Sequence, residues 1–275
     1  MGKSLGKEYT NKMERIAFLK DNCDACENKG YMKPYTPEEL QGHKENLANV
    51  SIEIAAFLAS TIAWGNRKQI LTGCRKMFHD IMKNRPYEFV MSGQFNDIDP
   101  TMNIHRTFFG RDMVYMCRGL QFVYLTSNTL AIAFRQNETV WDGFSRLREL
   151  FAQANGGESS KHLSNPIPNR HKGGSPCKRL NLMLRWLCRQ DGIVDLGIWH
   201  NLKPSQLMIP LDTHVARIGR EMGLISRNGN DRATVEELTA KLRELDKNDP
   251  CKYDFALFGL GESQKRRSHE RVFFT

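Results

Sequence analysis

Ser175-Pro176-Cys177-Lys178-Arg179-Leu180-Asn181-Leu182-Met183-Leu184-Arg185-Trp186-Leu187 is the stretch from which the fold class is read. Ser-Pro is a helix-opening pair, with Ser as cap and Pro in the first turn. Behind it Leu180, Leu182, Met183, Leu184, Trp186 and Leu187 give a mostly apolar helix. Lys178, Asn181 and Arg185 stand at i, i+3 and i+7 and therefore share one face. Polar groups on a buried helix need a partner or a task. A solvated basic face is the competing reading of that stripe. The same 3.6-residue period recurs along the chain, while period-2 alternation is almost absent, so the expected fold is all-α.

Working outward, helices are expected at Glu8–Lys20, from Thr36-Pro37-Glu38-Glu39 onward, and from about Asn46 to Trp64, stopping at Gly65-Asn66. The next starts at Arg67 with Ile70, Leu71, Cys74, Met77, Phe78 and Ile81 on its buried side. Residues 92–104 and 156–175 read as loops. Further helices are expected near 111–126, 138–153, 176–190, 213–222, 233–245 and 250–261, with Asp231 and Thr234 as caps for the one near 233.

Lys and Arg exceed Asp and Glu by nine charges, which favours a polyanionic partner. The most apolar run, Ile52 to Trp64, contains Glu53 and is too short to cross a bilayer. Gly6 stands where an N-myristoylation signal requires Ser or Thr. Seven cysteines, mostly isolated in apolar stretches, read as reduced thiols. Cys23 and Cys26 form a single CxxC with no second pair at metal-ligand spacing, so no metal site is expected. These features predict a cytoplasmic protein.

Lys178 lies in the first turn of its helix, where the dipole opposes a cation and favours the neutral, nucleophilic amine. Ile209-Pro210-Leu211-Asp212-Thr213-His214-Val215 is the second feature. Asp212 opens a helix and reads first as a cap. The same position favours the ionised carboxylate, the form that stabilises a cation or accepts a proton.

Leu211-Asp212-Thr213-His214-Val215 with Arg217 resembles the segment that holds the catalytic aspartate of helix-hairpin-helix DNA glycosylases. Ile54-to-Lys68, Lys161-to-Pro166, Cys177-to-Trp186, Ile209-to-Arg217 and Lys252-to-Gly261 together resemble a bacterial family described only as a domain of unknown function. The usual Leu-Pro-Gly-x-Gly hairpin is missing, and position 194 is Val. Lys178 precedes Asp212 by 34 residues, a long separation similar to that in the archaeal 8-oxoguanine glycosylase branch. The resemblance implies a bilobed helical body with a cleft. Its sequence spans residues 45–265, with 66–175 mainly one lobe and 45–65 with 176–265 mainly the other. A charged extension (1–44) and a basic tail (266–275) flank it.

The resemblance further implies a base-excision DNA glycosylase with AP-lyase activity, in which Lys178 attacks the sugar C1′ and Asp212 assists loss of the base. Asp254, Phe258, Trp64 and Arg185 are expected around the base, which such enzymes flip out of the stack. Asp254 and Phe258 match an Asp and aromatic pair of the archaeal branch, and 8-oxoguanine is the first lesion to try. Lys172-Gly173-Gly174-Ser175, Arg67, Lys68 and His214 are expected at phosphates. The partner is then double-stranded DNA carrying a damaged base, bound by a monomer near the bacterial nucleoid. No cofactor is implied, because the C-terminal iron–sulfur cysteines of some relatives are missing. Two rivals stand beside this reading. One is a non-catalytic DNA-binding protein on the same scaffold. The other is a metal phosphohydrolase using His79-Asp80 with His43 and Asp142.

Overall fold

The long apolar run of the N-terminal third forms α1 (Pro37–Thr61), a single helix of 25 residues in the computed structural model. The structure describes residues 37–168, 173–191 and 194–261, with side chains from Ala48 onward. The expected helix at Glu8–Lys20, Cys23, Cys26, Lys172 and the basic tail lie outside those residues. Two helices were expected where α1 is one, because Gly42 weakens a helix without stopping it. The Ser60 and Thr61 hydroxyls both return to the Phe57 carbonyl, at 2.8 and 2.9 Å, and compete with the last-turn ladder. Trp64 consequently lies beyond the helix.

Asn66 caps α2 (Arg67–Arg75) by accepting from the Lys68 N–H at 2.8 Å. A π-helical turn, Lys76–Ile81, continues it. Leu71, expected inside, is 53% exposed, and Gly73 takes the buried face. A side chain at Gly73 would press on Ile62 and His105. Helix α3 (Pro86–Ser92) was not anticipated, although Pro86 in its first turn and the left-handed Gly93 (φ 76°) at its end are ordinary boundary signals. The antiparallel pair β1 (Asn103–His105) and β2 (Phe108–Phe109) was also not anticipated. Strands this short carry too little alternation to register.

Helices α4 (Gly110–Thr126) and α5 (Val140–Ala154) pack together, with Phe151 seated on Gly119. Then come α6 (Lys178–Cys188), α7 (Thr213–Glu221), α8 (Arg232–Leu245), a 3-10 turn at Pro250–Tyr253, and α9 over residues 254–261. Among the described residues the regular structure is therefore helical apart from one short hairpin and an isolated bridge between Gln190 and Leu196. No described helix is long and apolar enough to cross a membrane.

One continuous apolar core runs from Val50 to Leu257, with α1 packed on both α3 and α6. Ile54, Phe57 and Leu58 of α1, and Ile62 just beyond it, are fully buried, each contributing about 1.5–3 kcal/mol. Glu53 is buried among them at 2% exposure. Its carboxylate accepts from Thr129 Oγ1 and Trp199 Nε1, both at 2.5 Å, from the Leu130 N–H at 2.9 Å, and from the Tyr124 hydroxyl. Burial raises its pKa, against those donors. This one side chain ties α1 to α4, to the 129–130 turn and to the segment before α7.

Candidate active site

Helix α6 begins at Lys178, two residues later than its Ser-Pro signal suggests. Cys177 occupies the cap position in the left-handed region (φ 46°, ψ 38°), and the Ser175 hydroxyl accepts from the Cys177 N–H at 3.1 Å. Lys178 is thus the first helical residue, half-buried, and its Nζ donates to the Ala63 carbonyl at 3.3 Å. Its neighbour Arg179 donates to the Thr61 carbonyl at 2.6 Å. The frayed end of α1 therefore receives both cations.

The polar stripe of α6 is not a solvated face. Asn181 and Arg185 are each only 1% exposed. Asn181 donates to the Pro176 carbonyl at 3.1 Å, and its own Oδ1 is buried without a partner. Arg185 pairs with Asp254 and, at 3.3 Å, with Asp195, while the Phe255 ring lies 3.8 Å from its guanidinium. The chain of charges continues through Asp195 to Arg189, and from Arg189 to Asp249 at 2.8 Å. Alternating ions in this order satisfy one another where an isolated charge would be costly.

Asp212 caps α7: its Oδ1 accepts from the His214 and Val215 N–H groups, both at 2.9 Å. Asp254 lies where the charges of Asp212 and Lys178 both act on it. Burial raises the Asp254 carboxyl to about 6, against the opposing pull of Arg185 and Lys178 and with a push from Asp212. Asp254 of α9 is thus paired directly with Arg185 of α6 and acted on electrostatically by Lys178 and by Asp212, the cap of α7. Phe258 joins them through His214, whose ring meets it edge-on at 5.5 Å. Phe258 is 39% exposed. Gly261 completes the contact, since a side chain there would collide with His214.

Other expected positions behave differently. Arg185 is enclosed by its ion partners and does not line open space. The Trp64 ring is engaged by His162 (5.5 Å, stacked), by the edge of His105 (4.8 Å) and by the Arg179 guanidinium (4.9 Å), so it is held in packing. Burial lowers the His162 pKa despite nearby Asp112, which favours a neutral ring there. In the glycine loop, Gly174 is left-handed (φ 82°), and a side chain there would strike the Pro166 carbonyl. A side chain at Gly173 would strike the Asp231 carboxylate. The Ser175 N–H is spent on the Asn165 carbonyl at 2.9 Å. Those two glycines thus serve the packing of the loop against α8, and Asp231 is an unfavourable neighbour for a phosphate. Arg67 and Lys68 are exposed at the start of α2.

Of the residues named for a metal site, Asp142 is tied into a capping box with Thr139, and the His79 side chain, 68% exposed, meets Asp80 at 2.8 Å. The His43 side chain lies outside the described residues. Among the described residues no group of three His, Cys, Asp or Glu side chains is arranged around a metal position. An open cleft of about 490 Å³ is lined by Asn49, Glu53, Thr129, Arg135 and Trp199 among others. Its lining includes Asn49 and Glu53 near the middle of α1 and none of Lys178, Asp212, Asp254 or Phe258.

A family model described as protein of unknown function (DUF2400) matches residues 41–263. The chain belongs to this family. No curated protein and no solved structure matches the chain. The DUF2400 region runs from the second turn of α1 past the end of α9, so it contains Lys178, Asp212, Asp254 and Phe258 together with all five stretches quoted above.

The raised Asp254 carboxyl gives this DUF2400 chain a testable pH dependence. A folded pKa of about 6 exceeds the ordinary 3.8, so the folded state binds more protons between these values. The contribution is full below about pH 4 and is lost as pH rises through 6. Asp254→Asn should therefore gain stability relative to the wild type as pH rises from 4 to 6 in urea unfolding. A constant offset between the two chains would refute the assignment.

Proposed function

We propose that this protein is a lyase-competent DNA glycosylase with the two-lobed helical architecture of the helix-hairpin-helix superfamily. The observation that carries the reading is the convergence of Lys178 and Asp212 on Asp254, despite the 34 residues between the first two. Asp212 takes a proton from Lys178, and the freed amine lone pair attacks C1′ of the damaged nucleotide. The glycosidic C–N bond breaks, its electron pair leaves with the base, and the proton held by Asp212 passes to the departing nitrogen. Asp212 then takes one proton from the C1′-bound nitrogen, whose lone pair opens the sugar ring; O4′ receives that proton, and a protonated Schiff base remains between Lys178 and the sugar, from which loss of a C2′ proton to solvent expels the 3′ phosphate. Asp212 accepts the amine proton and stabilises the cationic sugar.

The substrate we favour is an oxidised purine, with 8-oxoguanine first. Such a base presents several N–H donors, and a carboxylate only accepts. Asp254, fixed by Arg185, supplies that acceptor, and the exposed ring of Phe258 supplies a stacking surface worth about 1–3 kcal/mol per base. The partner is duplex DNA in the bacterial nucleoid, approached by a monomer. Single-turnover base release from duplexes carrying 8-oxoguanine, uracil or an alkylated purine tests the reading. Release of the oxidised purine is expected, with Phe258→Ala slowing every substrate. Salt-sensitive DNA binding without release of any base from the panel would favour a non-catalytic DNA-binding protein instead.

A further inference from the structure

The β1–β2 hairpin turns through Arg106-Thr107, between the paired residues His105 and Phe108. Arg106 has φ 51°, and Thr107 is not in the positive-φ region. A two-residue turn with positive φ at its first central position is one for which glycine is the usual residue. Arginine there carries a conformational cost that glycine would remove. Its guanidinium forms no ion pair among the described residues, and the side chain is exposed. The turn is nevertheless held firmly. Asn103 Nδ2 donates to the Arg106 carbonyl at 2.7 Å, and Lys76 Nζ donates to the Asn103 carbonyl at 2.6 Å. Strain maintained in this way accumulates at functional sites.

The location points the same way. Buried His105 makes a 2.9 Å bond to the Trp64 carbonyl, and the two rings meet at 79° with centroids 4.8 Å apart. The Arg106 guanidinium lies over Gly65: a Cβ built there would fall 2.5 Å from Nη1. Gly65 has φ 90°, so two backbone specialities interlock. Ala63, whose carbonyl receives Lys178, is two residues before Gly65, no more than about 7.6 Å of backbone. Arg67, Lys68 and Lys161 are exposed close by in sequence to Trp64 or to its stacking partner His162. Asp112, the carboxylate near His162, is turned to the Phe109 N–H at 2.8 Å. Arg67 and Lys68 thus follow within five residues of Ala63, the residue that receives Lys178, and the Arg106 guanidinium lies over the intervening Gly65.

We infer that Arg106 is a DNA-positioning residue that grips a phosphodiester next to the nucleotide held at Lys178. The inference rests on the DNA reading proposed above and adds to it a contact outside the glycine loop and the start of α2. An arginine fork suits a phosphate, with two parallel N–H···O bonds. The side chain sits on a rigid hairpin, so little ordering is needed on binding.

The test uses the full chain and a duplex containing a reduced abasic-site analogue, which binds without reacting. Arg106→Gly should leave the melting temperature unchanged or raise it by about 2 °C, since strain is relieved and no ion pair is lost. The same variant should lower duplex affinity about tenfold and reduce the slope of log affinity against log salt by about one. Arg106→Lys should retain the salt slope. Unchanged affinity in Arg106→Gly, whatever its melting temperature, overturns the inference and leaves Arg106 a packing residue. If the glycine variant melts lower and also binds weakly, Arg106→Gln decides. Wild-type stability with weakened binding supports the contact, and wild-type affinity overturns it. Failure of the wild type to bind any duplex at low salt overturns both this contact and the DNA reading. Binding and base release that ignore every Arg106 substitution overturn this contact alone.

Discussion

Asp212→Asn should lose about 10²–10⁴-fold in single-turnover base release while remaining as stable as the wild type. The contrast follows from the two jobs of one carboxylate. Oδ1 caps α7 through the His214 and Val215 N–H groups. Asparagine keeps an oxygen at that place and is as good a cap as aspartate. It is neither a proton acceptor nor a countercharge, so the chemical step suffers alone. Asp212→Ala removes the cap as well and should cost about 1 kcal/mol, seen as a melting point lower by about 2–4 °C. Full turnover in Asp212→Asn would leave the residue a cap and nothing more.

Lys178→Gln should abolish borohydride-dependent trapping on an abasic duplex, a loss of about 10³-fold or more, with folding and duplex binding largely retained. Glutamine keeps a donor for the Ala63 carbonyl but has no amine to form a Schiff base. Lys178→Arg retains the positive charge and should be equally inactive, because a guanidinium does not deprotonate. That second variant separates loss of a nucleophile from loss of a cation. Trapping at the wild-type rate in both variants would move the nucleophile to Lys203 or to the N-terminal amine.

Much of the helical skeleton is legible in local sequence, because amphipathic periodicity and capping residues act within a turn or two. Of the two expected caps Asp231 takes the place, Thr234 lying buried in the first turn and donating to it, and the apolar face of α6 is buried as its spacing predicts. Local reasoning fails where distant partners decide. Asn181 and Arg185 look the same in sequence whether solvated or buried. Only the arrival of Asp195 and Asp254 makes burial tolerable for Arg185. Glu53 reads as an interruption of an apolar run, yet its four donors come from residues 124 to 199. The Arg106 turn gives no glycine signal because the position is not glycine. Leu71 was expected inside because periodicity cannot see that Gly73, pressed toward His105, sets the buried face of α2. Trp64 has an apolar ring suited to a base, but its neighbours His105, His162 and Arg179 are contributed by distant segments.

The central claim is that Lys178 forms the covalent bond to DNA. Its most direct measurement is the position of the adduct. The wild-type chain is incubated with an abasic duplex and borohydride, the trapped complex is digested, and the modified peptide is identified by mass spectrometry. The account predicts a single deoxyribose-derived adduct on the Nζ of Lys178. An adduct on Lys203 or the N-terminal amine, or base release with no adduct at all, would contradict it.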